Sequence, residues 1–336
     1  MRRARSRVLS WTTHSLHRAG LTPFVARLTP YLCRTPVFHI LMYHRVNDDR
    51  DPFFPSVPVK VFEQQMAYIA RTYRVLTVED LADRSARGKL PSNALAVTLD
   101  DGYRDNLTHA APILARYGLP ATVFLATGFI GTAEVPWFDR LAMALKATKA
   151  TSLNLRSGIT VSLGGEAERL CAMRLVLQHL KRLHDDERRR MLDQFLETLA
   201  VTDQKWFKNL MLSWDDVHAL RGLGFSIGAH TVNHPILSRV STERAWTEIV
   251  GSRTMIESAC GALPRAFAYP SGHPGDYTET VTRLVRDAGF KCAVTAHFGV
   301  NTRRTSLYEL HRGGSSEHDL AVFALKLAWY QFVGDD

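Results

Sequence analysis

No stretch of this 336-residue chain approaches the run of about 18 apolar residues that a membrane-spanning helix needs. The first residues are arginine-rich, as a signal peptide would be. But Val8-Leu9-Ser10-Trp11 runs straight into Thr, His and Ser, so no apolar segment of about 7–15 residues follows. The expected location is therefore cytoplasmic or peripheral to the inner membrane, with no clear signal peptide. Cysteine is scarce. Cys33, Cys171, Cys260 and Cys292 form no CxxC pair and match no zinc-ribbon spacing, so free buried thiols are expected. GxxxxGK[ST] and a strand-turn-helix GxGxxG are both missing, which argues against nucleotide chemistry of the P-loop or dinucleotide-fold kind. GxSxG is missing too, and with it the serine-hydrolase elbow. No internal repeat or low-complexity tract is found.

Acidic residues are absent from residues 1–34, which carry seven arginines (Arg2, Arg3, Arg5, Arg7, Arg18, Arg27, Arg34). The formal net charge of +9 comes mostly from this arm. Without its seven arginines, the 42 basic side chains fall to 35, against 33 acidic ones. A nucleic-acid-binding protein would carry its basic excess in the folded body, so no nucleic-acid partner is expected. The arm reads as a solvated leader, or as a peripheral contact with an anionic membrane surface. The remaining composition, 46% apolar and 22% charged, is that of a globular protein and excludes a disordered or fibrous chain.

Beyond the arm, apolar runs of strand length alternate with amphipathic helical segments. Strands are expected at 37–43, 94–99, 121–126, 225–229, 266–269 and 292–295. Helices are expected at 61–71, 78–87, 108–117, from Ser213 to Gly224, at 242–260 and at 278–288. Such alternation implies parallel strands joined by helical crossovers, an α/β fold. Between about 140 and 210 the rhythm breaks. Residues 152–165 read as polar and strand-like, and 166–199 as one long charged helix with an Arg188-Arg189-Arg190 run on its solvated face. This segment is taken as a largely helical insertion in a unit spanning 35–320, with 321–336 as a C-terminal helix or tail.

Chemistry-bearing residues follow the C-terminal ends of these strands, where open α/β sheets and barrels carry their sites. Thr98-Leu99-Asp100-Asp101-Gly102-Tyr103 places two adjacent carboxylates there. Successive side chains diverge, so one can ligate a metal while the other stays free as a base. His230-Thr231-Val232-Asn233-His234 supplies two imidazoles at a strand end entering a turn. One carboxylate and two imidazoles leave open positions for water and substrate, as in a catalytic zinc site. Phe267-Ala268-Tyr269-Pro270-Ser271-Gly272 is a strand and a turn that could aim a backbone N–H at an oxyanion. In Leu310-His311-Arg312-Gly313, His311 could act as a general acid and Arg312 could orient a carboxylate. His44, His273 and His297 are further candidates.

These segments resemble the polysaccharide deacetylase family, the NodB-homology group of carbohydrate esterases. Pro120-Ala121-Thr122-Val123-Phe124 and Tyr43-His44-Arg45-Val46 extend the likeness, which covers roughly residues 37–315. The resemblance implies a distorted (β/α) barrel of the NodB-homology type, with fewer than eight regular units. It implies a metal-dependent hydrolase, usually with Zn2+, that removes N-acetyl groups from a glycan in exopolysaccharide or envelope synthesis. By position, Asp101, His230 and His234 would bind the metal, and Asp100 would be the base. The Ser271 N–H would help hold the oxyanion, and Tyr103, Tyr269, Pro270, Gly272 and His44 would meet the substrate. Many members carry Arg-Pro-Pro-Tyr-Gly where this chain has Ala268-Tyr269-Pro270-Ser271-Gly272. The base-tethering arginine is thus missing there, and Arg312 is the expected substitute. The family's late His-Asp pair is not cleanly present either, since His311 is followed by Arg312, and His311 is the expected acid. Two rival readings are hydrolysis of another amide or ester, such as N-formyl, and a non-catalytic glycan-binding scaffold.

Overall fold

Ala94–Leu99 is buried along its whole length, as a strand covered on both faces must be. It is β3 of a parallel sheet. The others are β1 (Phe38–Tyr43), β2 (Arg74–Val75), β4 (Thr122–Leu125), β7 (Ser226–Ala229), β8 (Ala266–Ala268) and β9 (Cys292–Val294). The computed structural model describes residues 37–155, 158–201, 207, 209–313 and 317–333, so the N-terminal arm lies outside the described residues. The strand order is β1-β3-β4-β7-β8-β9, with β2 attached to β3 and every pair parallel.

The path is closed by a short irregular stave, Leu310–Gly313. Leu310 bridges to Val294 of β9, and Gly313 bridges to Leu41 of β1. Thr295 donates to the Leu310 carbonyl at 2.8 Å, and Gly313 to that of Ile40 at 3.0 Å. The result is the distorted NodB-type barrel that the sequence leads one to expect.

Period-two alternation sorts the strand residues. Leu95, Val97, Leu99, Val123, Leu125, Phe267 and Ala293 pack outward against helices in the main core. These helices include α1 (Val59–Thr72), α3 (Ala111–Arg116), α7 (Trp214–Gly222), α8 (Thr242–Cys260), α9 (Glu279–Asp287) and α10 (Leu320–Val333). Phe38, Ile40, Ala94, Ala96, Phe124, Ala266, Ala268, Cys292, Val294 and Leu310 form a second cluster inside the barrel. Half of these are alanine or cysteine, and Phe124 packs among them. Gly228 makes room for it, because a Cβ there would stand 2.4 Å from the Phe124 ring. Helix α2 (Val78–Ala86) adds Val78, Leu81 and Ala82 to this cluster. Its Glu79 receives hydrogen bonds from Thr122 and Ser226 at the starts of β4 and β7, so α2 plugs the N-terminal end. The opposite end is left for chemistry.

Residues 137–199 fold around their own core. Helix α4 (Trp137–Ala147), the hairpin β5–β6 (Ser152–Asn154 and Thr160–Ser162), α5 (Glu166–Leu180) and α6 (Asp185–Leu199) share it with Phe53 and Phe54. Two local expectations need correction. The single helix over 166–199 is two, because extended backbone at His184 (ψ 147°) lets α6 turn back. Nor is the arginine run wholly solvated. Arg188 is buried, pairs with Asp185 and sits 4.6 Å from the Trp137 ring centroid. Cys260 and Cys292 are free and buried as expected; Cys171 is free but exposed, and Cys33 lies outside the described residues.

Candidate active site

The inward alternation of β3 runs Ala94, Ala96, Thr98 and reaches Asp100 just past the strand. Asp101 follows in the left-handed region (φ 72°) and Gly102 likewise (φ 85°). This double reversal turns the second carboxylate across the barrel mouth. On β7 the inward face continues through Gly228 to His230. Its Nδ1 lies 2.7 Å from the Ala268 carbonyl, so Nδ1 carries the proton and Nε2 keeps a lone pair for a metal. Thr231 (φ 66°) and His234 (φ 53°) then fold the loop back, with His234 N–H donating to Thr231 Oγ1.

A residue with no sequence signal holds that loop. Buried Glu248 on α8 accepts the backbone N–H groups of Val232 and Asn233 at 2.9 and 2.8 Å, and the Asn233 side chain at 2.8 Å. Arg244 balances its charge at 2.7 Å. Gly128 lets the opposing turn approach, since a Cβ there would meet the Val232 carbonyl at 2.8 Å.

The three expected ligands converge. His230 Nε2 and His234 Nε2 lie 3.4 and 3.3 Å from Asp101 Oδ1, and one ligand atom from each residue lies within 4.8 Å of the others. Asp101 Oδ1 is buried and receives no aligned hydrogen bond. A buried carboxylate oxygen facing two imidazole nitrogens in this way fits a divalent cation. Burial opposes charge on Asp101, but its contacts with His230 and His234 hold the carboxyl well below the usual range.

Asp100 points the other way. Arg312 grips it with two 2.7 Å bonds, one to each carboxylate oxygen, while donating to the Thr295 carbonyl at 2.7 Å. Both residues are about 1% exposed. Burial pushes the Asp100 carboxyl up, yet the Arg312 charge, aided by His230, keeps it below its ordinary value and ionised. The arginine expected as a substitute tether thus reaches Asp100 from the closing stave.

These residues line one cavity of about 390 Å³, together with His44, Tyr103, Tyr269, Ser271 and His273. His44 is exposed. Asn106 fixes the His44 carbonyl at 2.8 Å. Ser271 presents left-handed backbone (φ 59°) to the cavity. Tyr103 donates to Asp139 at 2.8 Å. Asp139, which no motif singles out, is buried on α4 and raised to about 7 mainly by that burial.

Other expected residues are not brought to the cavity. His311 is the clear case. Alternation on the stave sends Leu310 and Arg312 inward and His311 outward. Its ring lies 4.6 Å from that of His297, in a separate polar groove with Glu309 and Arg304. Its expected part as general acid finds no support in that position. Pro270 and Gly272 do not line the cavity; they build the turn under Ser271, where a Cβ on Gly272 would meet the Ala296 nitrogen at 2.8 Å. Tyr269 does line the cavity, but its ring stacks on Tyr277 and its hydroxyl donates to the Tyr308 carbonyl.

Residues 87–293 match the family model for polysaccharide deacetylases. The chain belongs to that family. A putative polysaccharide deacetylase of Bacillus subtilis, YxkH, is 22% identical over 275 residues, covering 81% of this chain and 69% of the relative. A poly-beta-1,6-N-acetyl-D-glucosamine N-deacetylase of Staphylococcus aureus is 31% identical over 77 residues, only 23% of this chain and 27% of the relative. Among solved structures, IcaB from Ammonifex degensii is similar at 17% identity with a TM-score of 0.57, covering 89% of this chain and 98% of the other. The Streptococcus pyogenes deacetylase PplD gives 21% and 0.56, covering 83% and 92%. At these identities the likeness shows the fold.

Proposed function

We propose that this polysaccharide deacetylase removes N-acetyl groups from an N-acetylated glycan and releases acetate. One observation carries the reading. A convergent Asp101–His230–His234 ligand set lies beside a separately tethered carboxylate, Asp100, in a single cavity. A scaffold that only binds sugar has no use for a buried base beside a metal position. Zinc suits one carboxylate and two imidazoles, and it would polarise the acyl carbonyl and acidify a water.

Asp100 takes the proton from the attacking water. Its Arg312 tether keeps it ionised and aimed. The Ser271 N–H donates to the carbonyl oxygen as negative charge develops there. Collapse breaks the C–N bond, and the leaving amine must be protonated. His44 is the proton donor in this scheme, because it lines the same cavity as both carboxylates. The water oxygen ends in acetate, and the donated proton on the amino sugar. The catalytic unit is residues 35–320 with the helical insertion. No helix among the described residues is long and apolar enough to cross a membrane, and the basic arm is proposed as a peripheral membrane contact.

Metal analysis combined with acetate release from several N-acetylated glycans tests this. Bound zinc and acetate release are expected, with Asp100→Asn keeping the metal and losing most turnover. Release from N-formyl but not N-acetyl substrates would point to another amidase, and glycan binding without turnover to a scaffold.

A further inference from the structure

The cavity does not end at the ligand set. The Phe138 ring lies 5.2 Å from that of His234 and begins an apolar wall. The wall continues through Ala142 on α4, Met173 and Leu177 on α5, and Phe53 and Phe54 from the β1–α1 loop. These residues belong to the insertion's own core. Among the described residues, no Asn, Gln, Thr or Trp lines the cavity. The Tyr103 hydroxyl is already committed to Asp139, and the Tyr269 hydroxyl to the Tyr308 carbonyl.

A sugar chain carries hydroxyls that lose water on binding and need partners. This wall supplies none. The group removed is acetyl, one methyl on a carbonyl, far smaller than a cavity of about 390 Å³. The apolar room therefore serves some other part of the substrate. Two cations stand by it. Arg45 lies 5.7 Å from the Phe54 ring centroid and 5.1 Å from that of Tyr103, anchored on Asp105. Lys181 caps the end of α5 and is exposed. Apolar surface with a cation at its rim complements an apolar chain joined to an anionic group.

Resting on the reading of this centre as a deacetylase, we propose that the substrate is a lipid-linked saccharide. Its N-acetylated sugar sits at Asp100 and Asp101, its apolar chain lies along the insertion's wall, and its phosphate meets Lys181. The insertion thereby selects a membrane-borne biosynthetic intermediate over a finished polymer.

The test uses the zinc-loaded full chain and acetate release from three soluble probes. They are a short N-acetylglucosamine oligomer, N-acetylglucosamine 1-phosphate, and the decyl phosphodiester of that sugar below its micellar concentration. The decyl ester is expected to exceed the 1-phosphate in kcat/KM by at least about tenfold, mainly through KM, since each buried methylene adds to binding. Met173→Gln and Leu177→Gln should each shrink that ratio severalfold, and Lys181→Ala should lower kcat/KM for both phosphate probes. Equal kcat/KM for the decyl ester and the 1-phosphate would overturn the inference and leave the deacetylase reading standing. A decyl preference untouched by all three substitutions would also overturn it, because the chain would then bind elsewhere. No acetate from any probe, with zinc bound, would overturn the deacetylase reading itself.

Discussion

Asp139 shows how far burial can move a single side chain. Its carboxyl is raised to about 7 by desolvation, against the Tyr103 hydrogen bond and with the Asp101 charge adding to the rise. The folded state therefore holds this proton more tightly than the unfolded chain, whose value lies near 3.8. The stabilisation is complete below about pH 4 and is lost as pH rises through about 7. Asp139→Asn keeps an acceptor for Tyr103 and removes the ionisation. Its unfolding free energy should fall less than wild type's between pH 5 and pH 8, by a difference on the order of 2–4 kcal/mol, as read by denaturant titration. Identical pH profiles would show that Asp139 is ionised at neutrality. A second residue-scale prediction concerns the proton donor. His44→Ala should depress acetate-release kcat/KM by about 100-fold or more, whereas His311→Ala, facing the other groove, should stay within about threefold. A hundredfold loss at His311 alone would reverse the assignment. Asp100, Asp101, His230 and His234 were legible in the sequence because each stands at or just past a strand end. Asp139 was not, since only the folding of the insertion brings it to the cavity.

At the level of elements, the ligand loop 231–234 depends on α8. Glu248 replaces the hydrogen bonds that a regular strand or helix would have given this left-handed turn. Its own sequence context is an ordinary amphipathic helix, so nothing local distinguishes it from any other glutamate. The stave Leu310–Gly313 is a similar case. Its alternation was readable, but its place between β9 and β1 was not, because a four-residue bridge carries no strand pattern. That is why chemistry alone points to Arg312 as the tether, while the side of the stave on which His311 lies is visible only in the fold. Glu248→Ala leaves two backbone N–H groups and Arg244 without their acceptor. Zinc affinity should drop by about 10–100-fold, the usual effect of losing a residue that orients ligands, as read by calorimetric titration. Glu248→Gln, which retains one acceptor oxygen, should lose less. Equal affinity in Glu248→Ala would mean that the loop is held by other contacts.

For the molecule as a whole, the cation position joins parts far apart in sequence. Asp101 follows β3, His230 and His234 follow β7, and the neighbouring Asp100–Arg312 pair ties β3 to the stave that closes the barrel. A ligand that binds only the folded chain stabilises it by mass action, about 2.7 kcal/mol at a hundred times its Kd. Zinc should therefore raise the melting temperature by several degrees, and a chelator should reverse the rise. The variants separate the roles. Asp101→Asn and His234→Ala should lose the zinc-dependent rise, because each removes a ligand. Asp100→Asn should melt lower without metal, since it leaves the buried Arg312 charge poorly paired, yet it should keep most of the zinc-dependent rise while turnover collapses. Loss of that rise in Asp100→Asn would make Asp100 a ligand rather than the base. A full rise in His234→Ala would mean that zinc binds somewhere other than the Asp101–His230–His234 set.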